Sequence, residues 1–424
     1  MMNVTPAHLS LRFSLLACAL WLPVSAAGQD VLRDEAAGTR ASLAQPANGG
    51  AILDPNDQDD AFLKEFMEYQ IQQQKNSKVR LFAAGSWRYD SNVMLSNTNE
   101  QSDTMWSFRP GAQYSYGDEQ SKLQLLADYS AQFNFFEKFD SQDSVNQFLS
   151  LSVNYRLKKT SFKLSGRFND VMGGDLDVGG QAQRVQFSPE LQMIYEVSEK
   201  VRVGISGQVQ RSHYDALLSS TTWRFGTFAD YAFSPQFRLG LQFNEMIQDV
   251  EGSGRQTGQD YLVRMEWEAA KKLSLSGTAG VNFMHTISAG DTVLPVGSVS
   301  FRYEVGPKTS VYVNLFARAQ NSPSLTGQYF QSEGVLLGVQ QQIGSKINVG
   351  ADFGYEISEY DTYLAGVATT RTDHVRFVRP WLKYTLHRHL ALELFYQHTL
   401  NDSTGTGAQP FERNLVGAGL TSSW

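Results

Sequence analysis

Phe237-Arg238-Leu239-Gly240-Leu241-Gln242-Phe243-Asn244 sets Phe237, Leu239, Leu241 and Phe243 on one parity and Arg238, Gly240, Gln242 and Asn244 on the other. Successive side chains of an extended chain point to opposite faces, so this octet reads as a strand with one apolar and one wet side. The same alternation sets Phe162, Leu164 and Phe168 against Lys163, Ser165 and Arg167, and Leu273, Leu275, Ala279, Val281 and Phe283 against Ser274, Ser276, Thr278 and Asn282. It returns at Leu149/Leu151/Val153/Tyr155, Val201/Val203/Ile205/Val209 and Ile347/Val349/Ala351/Phe353/Tyr355, and a period of two persists from Val79 to Trp424. No stretch after the first 27 residues approaches the roughly 18 continuous apolar residues of a spanning helix.

Connections between these strands are of two kinds, in strict alternation. Very short ones fall at Gly117–Gln120, Lys158–Thr160, Ser198–Lys200, Ser234–Gln236, Ala270–Lys272, Gly306–Thr309, Gly344–Lys346 and His387–His389. Longer polar ones include Val93–Asp103, Asp170–Gln183, Glu251–Gln259, Glu359–Thr372 and Ser403–Pro410. Counting between them predicts about eighteen strands, an even number, with short turns toward the periplasm and longer loops outside.

Rings recur on the apolar parity at two heights. Tyr114, Tyr116, Tyr155, Tyr195, Tyr231, Phe233, Trp267, Tyr303 and Tyr384 precede the short turns. Trp87, Tyr89, Phe133, Phe135, Phe168, Phe243, Phe283, Tyr355 and Tyr396 stand at the far ends of the rising strands. Amphipathic rings collect at both membrane interfaces, and a soluble sandwich or propeller has no reason to place them at two fixed levels. Backbone groups left unpaired in lipid each cost several kcal/mol, so the sheet must close. The expectation is an all-β, closed antiparallel transmembrane β-barrel over residues 79–424, in the outer membrane of a Gram-negative bacterium.

Arg12, the apolar run Phe13–Val24 and the small residues Ser25, Ala26 and Ala27 read as an export signal over residues 1–27. Leu15-Leu16-Ala17-Cys18 also has the form of a lipoprotein box, but cleavage there would leave an apolar start, Ala19–Val24, so the ordinary signal is preferred. Cys18 is the sole cysteine, which excludes a disulfide, a thiol nucleophile and a thiolate metal site from the exported chain. Residues 28–78 are polar and without alternation, a flexible periplasmic segment in which Asp59–Gln74 can form one short helix with Phe62, Leu63, Phe66 and Met67 on a single face.

Pro110, Pro189, Pro295 and Pro380 fall within or at the starts of descending strands, where each removes a ladder donor. Bulges toward the outer rim are the expected accommodation. The last strand sets Val416, Ala418, Leu420, Ser422 and Trp424 on one parity, the pattern of a C-terminal strand handed to the outer-membrane assembly machinery, with Ser422 where an apolar residue is usual.

Tyr89-Asp90-Ser91-Asn92-Val93 closing the first strand, Phe108-Arg109-Pro110-Gly111 followed by Tyr114-Ser115-Tyr116, and Arg379-Pro380 followed by Tyr384 resemble the beta-barrel porin-2 type of outer-membrane protein. That group is associated with exopolysaccharide gene clusters. The resemblance spans roughly Val79–Trp424 and implies an outer-membrane barrel with a part in polysaccharide export, and with polysaccharide or export components as partners.

Composition narrows the chemistry. A net charge of -7, with Lys and Arg scattered singly, gives no basic surface for nucleic acid. His213, His285, His374, His387, His389 and His398 have no close serine partner, and no Gly-x-Ser-x-Gly, phosphate loop or dinucleotide fingerprint occurs, so no catalytic, cofactor or metal site is expected. Asp54, Asn56, Gln58, Asp60 and Glu65 have calcium-loop spacing, but Asp59 stands where the sharp turn needs Gly, so they read as a solvated helix start.

The wet parity is the informative surface. Arg88, Arg109, Arg224, Arg264, Arg302, Arg379, Glu190, Glu266 and Glu304 are the residues expected to line a lumen. Arg202, Arg238, Arg318, Asp128, Asp352, Glu356 and Glu393 share their parity. Such rows either hold water and shape a pore or satisfy one another across neighbouring strands. The leading expectation is a porin-like channel for polar solutes taking part in exopolysaccharide export, embedded in outer-membrane lipid. The alternative is a non-conducting scaffold that docks a cell-envelope complex.

Overall fold

Side chains that alternate between grease and water force each strand to show one face to lipid and one to the interior, and the fold follows from repeating that choice. In a computed structural model the described residues are 78–424 except 119, 176–179, 253, 271, 287–289, 323–327 and 365–366. The export signal and nearly all of the polar segment with its helix lie outside the described residues.

The strands are β1 (Lys78–Asp90), β2 (Asp103–Tyr116), β3 (Leu123–Phe136), β4 (Ser144–Arg156), β5 (Thr160–Asp175) and β6 (Gly180–Glu196). They continue as β7 (Val201–Tyr214), β8 (Ser220–Ser234), β9 (Phe237–Val250), β10 (Gly254–Ala270), β11 (Leu273–Thr286) and β12 (Gly290–Gly306). The last are β13 (Thr309–Asn321), β14 (Gln328–Ile343), β15 (Ile347–Leu364), β16 (Val367–His387), β17 (Leu390–Gly405) and β18 (Phe411–Ser423). All eighteen form one antiparallel sheet in chain order, and β1 pairs with both β2 and β18. The closing register runs from Phe82↔Ser423 to Asp90↔Leu415, and Leu81 and Trp424 exchange backbone bonds of 3.2 and 2.9 Å below it. A closed, even-stranded antiparallel barrel with an apolar exterior is an outer-membrane barrel of the Gram-negative kind.

The outer face carries the apolar parity. Leu241 is 68% and Trp424 64% exposed, whereas Asn244 and Met246 on the other parity of β9 are buried. The upper girdle contains more rings than the rising strands contribute. Trp106, Phe108, Phe187, Phe225 and Tyr261, from descending strands, stand exposed beside Tyr89, Phe135, Phe283 and Tyr396. Ring tips there meet polar groups: Trp106 Nε1 donates to Glu137 at 3.4 Å and Tyr129 Oη to Gln147 at 3.3 Å. Tyr355 Oη meets His374 Nδ1 at 3.0 Å, and Tyr396 Oη donates to Asn414 at 2.7 Å. These bonds mark where lipid gives way to water.

Two expectations change in detail. The polar stretches taken as connections are partly strand, since β5 runs to Asp175 and β16 starts at Val367. Above the membrane both faces meet water, so alternation fades while the ladder continues. The prolines are not placed at bulges. Register shifts fall near short turns, at Ala232/Ser234, Glu268/Ala270, Glu304/Gly306 and Thr385/His387. Pro110, Pro189 and Pro380 keep their rungs on one side and skip them on the other, where the ladders jump from Phe108↔Phe133 to Gly111↔Ser130, from Phe187↔Arg211 to Glu190↔Gln208 and from Val378↔His398 to Trp381↔Phe395. The register is the same before and after each jump, because a missing N–H removes a bond without adding a residue.

Candidate functional site: the inner wall and its inturned segments

The inner wall is built on the parity opposite the exposed apolar row, and each of the nine residues singled out from the sequence has that parity in its strand. Their surroundings differ. Arg264 and Glu266 belong to one network near the short-turn end of β7–β10. There Asp230 accepts from Arg202 Nε at 2.8 Å and from Arg264 Nε at 3.1 Å. Glu266 accepts from Arg202 at 2.6 Å and Arg238 at 3.4 Å, and Arg264 also donates to Gln242 at 2.7 Å.

Arg379 meets Glu393 at 3.4 Å, both side chains being nearly buried. Arg88 lies in the same neighbourhood, in electrostatic reach of Arg379, Arg413, Glu393 and Asp90. Arg413 Nε bonds both oxygens of Asp90 at 3.0 Å. Arg109 donates to Ser130 at 2.9 Å, and Arg224 approaches the Met246 sulfur at 3.6 Å. Arg302 is exposed, and Glu190 and Glu304 are half-buried.

Part of this charge is matched from strand to strand, as at Asp230, Glu266 and Glu393, and several guanidiniums lie flat on rings. Arg264 stacks on Phe228 at 4.1 Å, Arg318 on Phe316 at 4.9 Å and Arg379 on Phe395 at 4.6 Å. Each ring in turn covers a glycine on the adjacent strand: a Cβ on Gly204, Gly334 or Gly417 would meet Phe228, Phe316 or Phe395 at 2.3–2.4 Å. Glycine, ring and guanidinium form a layered unit in which the missing side chain lets the ring down onto the backbone and the quadrupole of the ring holds the cation. Arg109 on Phe148 and Arg371 on Tyr360 repeat the stacking at 4.1 and 4.6 Å.

Several members were not singled out from the sequence. Asp230, with 2% of its side chain exposed, is the hinge of the first network. Asp260 bridges Asn244 at 3.0 Å and Asn282 at 2.6 Å. Arg371 binds Asp373 through Nε at 2.9 Å, and Asp352, already on the wet parity in the sequence, accepts from Tyr312 and from Trp381 at 3.2 Å. Their partners, up to forty residues apart as in Tyr312–Asp352, are not legible in a local pattern.

Two segments turn into the barrel mouth. Residues 91–102 follow β1, and within them Asn92, Val93 and Leu95 are almost wholly buried. Asn92 Nδ2 donates to the carbonyls of Ser96 at 2.7 Å and Glu412 at 3.0 Å, and its Oδ1 accepts from Ser96 N–H at 3.0 Å. Gln181, on β6, donates to the Val93 carbonyl at 2.7 Å, and Leu95 abuts Gly174 of β5, so the segment reaches inside from β1 to β5–β6. Leu95 has φ of 51°, a conformation for which a non-glycine residue needs the support of its surroundings. Across the mouth, Phe330 of β14 stacks on Tyr360 of β15 at 4.6 Å, both buried.

Among the described residues no group of three or more His, Cys, Asp and Glu side chains is arranged as a metal site. His387 and His389 lie with ring centres 5.9 Å apart at a short turn.

No family model and no curated relative matches the chain. In overall shape it is similar to OccAB4 of Acinetobacter baumannii, with 11% identity over 83% of this chain and 99% of that one and a TM-score of 0.45. It is similar also to OpdK of Pseudomonas aeruginosa in its crystal structure with vanillate, with 12% identity over 82% and 99% and a TM-score of 0.44. OpdQ of Pseudomonas aeruginosa gives 8% identity over 83% and 99% with a TM-score of 0.46. With scores this low, the site rests on its own geometry.

Proposed function

We propose that the protein is a porin-like channel for polar solutes and that its cargo includes a secreted exopolysaccharide. The observation that carries this reading is the contrast between a lipid-facing exterior and an inner wall of paired charge held flat by ring stacking. Eighteen strands enclose a bore wider than side chains alone fill. Where its charges are matched, the wall presents hydrogen-bonding groups to water, ions and hydroxyls without trapping a charged solute. The nine residues from Arg88 to Arg379 line the path in this reading, and the inturned residues 91–102, with Phe330 and Tyr360 across the mouth, set its narrowest part. Outer-membrane lipid is the partner of the exterior, the assembly machinery that of β18, and polysaccharide or its export components that of the lumen.

Single-channel recording of the full chain in planar bilayers is the test. Stepwise conductance, interrupted when the polysaccharide of the producing strain is added, is the expected record. A folded barrel that conducts nothing, with or without residues 28–78, removes the channel and favours the scaffold. Conductance that polysaccharide leaves untouched removes the export role alone.

A further inference from the structure

At Pro295 the wall does something it does not do at the other three prolines. The β12–β13 ladder ends at Gly297↔Ala317 and does not resume. Above that point β12 stays paired with β11 as far as Thr286↔Gly290, and β13 with β14 as far as Asn321↔Tyr329. The sheet divides into two pairs. Gly297, at the fork, has φ of 152°, and a Cβ there would lie 2.3 Å from the Thr278 carbonyl oxygen.

The two pairs then overlap. Met284 and Leu294 have inward parity on β11 and β12, whereas Ala319 and Tyr329 have outward parity on β13 and β14, yet all four form one buried apolar cluster. The upper ends of β13 and β14, at Ala319 and Tyr329, lie inside the wall, with their outer face against the inner face of β11–β12. The Pro295 carbonyl, on a residue that keeps its β11 rung but has none with β13, accepts from Gln331 Nε2 at 2.9 Å. Above Gly297 the joint between β12 and β13 contains side-chain and apolar contacts in place of the backbone ladder that joins the two strands below it.

Its depth gives the medium outside. Val293 pairs with Phe283 of the upper girdle, and Gly297 lies four residues further toward the short turns, roughly 10 Å deeper at the usual rise and tilt. The fork therefore opens within the outer leaflet, where Val293 is 54% exposed to hydrocarbon.

We propose that this overlap is a lateral portal that admits the single hydrocarbon chain of an amphiphile from the outer leaflet into the barrel. The chain takes the place of Tyr329 against Met284 and Leu294, and the polar head enters the hydrogen-bonding lumen. This site is independent of whether the axial path conducts.

The test is photolabelling of the refolded full-length protein in phospholipid vesicles with a diazirine-bearing palmitic acid, mapped by mass spectrometry. Labelling of Met284, Leu294 or Tyr329, competed by unlabelled palmitate, is expected. Leu294→Lys places an ammonium in the path and should lower that labelling roughly tenfold, while Leu262→Lys, on β10, leaves it unchanged. Gln331→Ala frees the Pro295 carbonyl and should raise it. Label confined to outward residues such as Val293 and Phe283, or inner labelling indifferent to both Leu294→Lys and Gln331→Ala, overturns the portal. Should Leu294→Lys fail to give a heat-modifiable folded band, the Gln331→Ala comparison alone decides.

Discussion

Asp230 shows how much one inward carboxylate can organise. It accepts from Arg202 and Arg264 at once and keeps both against the wall. Asp230→Ala leaves two partly exposed guanidiniums without their shared acceptor and should cost about 1.5–3 kcal/mol, the range for hydrogen bonds to charged groups. Urea unfolding of the refolded barrel at low and high salt reads it; a loss that vanishes in high salt would show that screened charge, not geometry, is at stake. Gly297 makes a second case. Gly297→Ala combines a carbonyl clash with a left-handed backbone and should cost about 1–3 kcal/mol, while Gly180→Ala, with nothing within 4 Å, should unfold like the parent. Neither residue is singled out in the sequence, since the weight of each depends on partners many residues away.

Elements add what single residues lack. The inturned segment 91–102 is tied by Asn92 to two carbonyls and one N–H, and by Gln181 to the wall at β6. Asn92→Ala removes three bonds at a buried position and should release the segment, seen as faster proteolysis between residues 91 and 102 and as a larger, noisier conductance in the same recordings. Unchanged proteolysis would mean that Val93 and Leu95 hold it unaided. The β2–β3 turn supplies a pH-dependent counterpart outside the membrane. The Ser121 hydroxyl, with the N–H groups of Gln120 and Ser121, holds the Asp118 carboxyl below its ordinary range. A depressed carboxylate contributes to folding above its unfolded value and loses that contribution as pH falls through its folded one. Ser121→Ala should therefore move the Asp118 titration upward, followed by carboxyl carbon NMR, and an unmoved titration would exclude the hydroxyl as the cause. Strand identity was legible because alternation is local; the inward course of residues 91–102 was not, because the motif Asp90-Ser91-Asn92-Val93 names the residues and not the distant wall they meet.

For the molecule as a whole, the division between lipid and lumen governs what each face tolerates. Leu241 is exposed in the middle of the apolar belt, so Leu241→Arg should destabilise the barrel by about 2–4 kcal/mol, while Ser276→Arg, facing inward on β11 beside Glu266, should unfold near the parent midpoint. Denaturant titration in vesicles compares them directly, and equal effects would contradict the assignment of faces. Closure by β1 and β18 makes the stability of every strand depend on both neighbours, so neither variant is confined to its own hairpin.

The period of two, the rings at two levels and the even alternation of short and long connections determined a closed eighteen-stranded barrel, its outer face and its orientation, because each is imposed by solvent on neighbouring residues. Tertiary structure alone decided which charges pair, where Pro295 parts the wall and which segments turn inward. Those outcomes depend on contacts between residues far apart in the chain, and in a sheet where each rung can be kept or skipped without changing register, a local pattern contains no record of them.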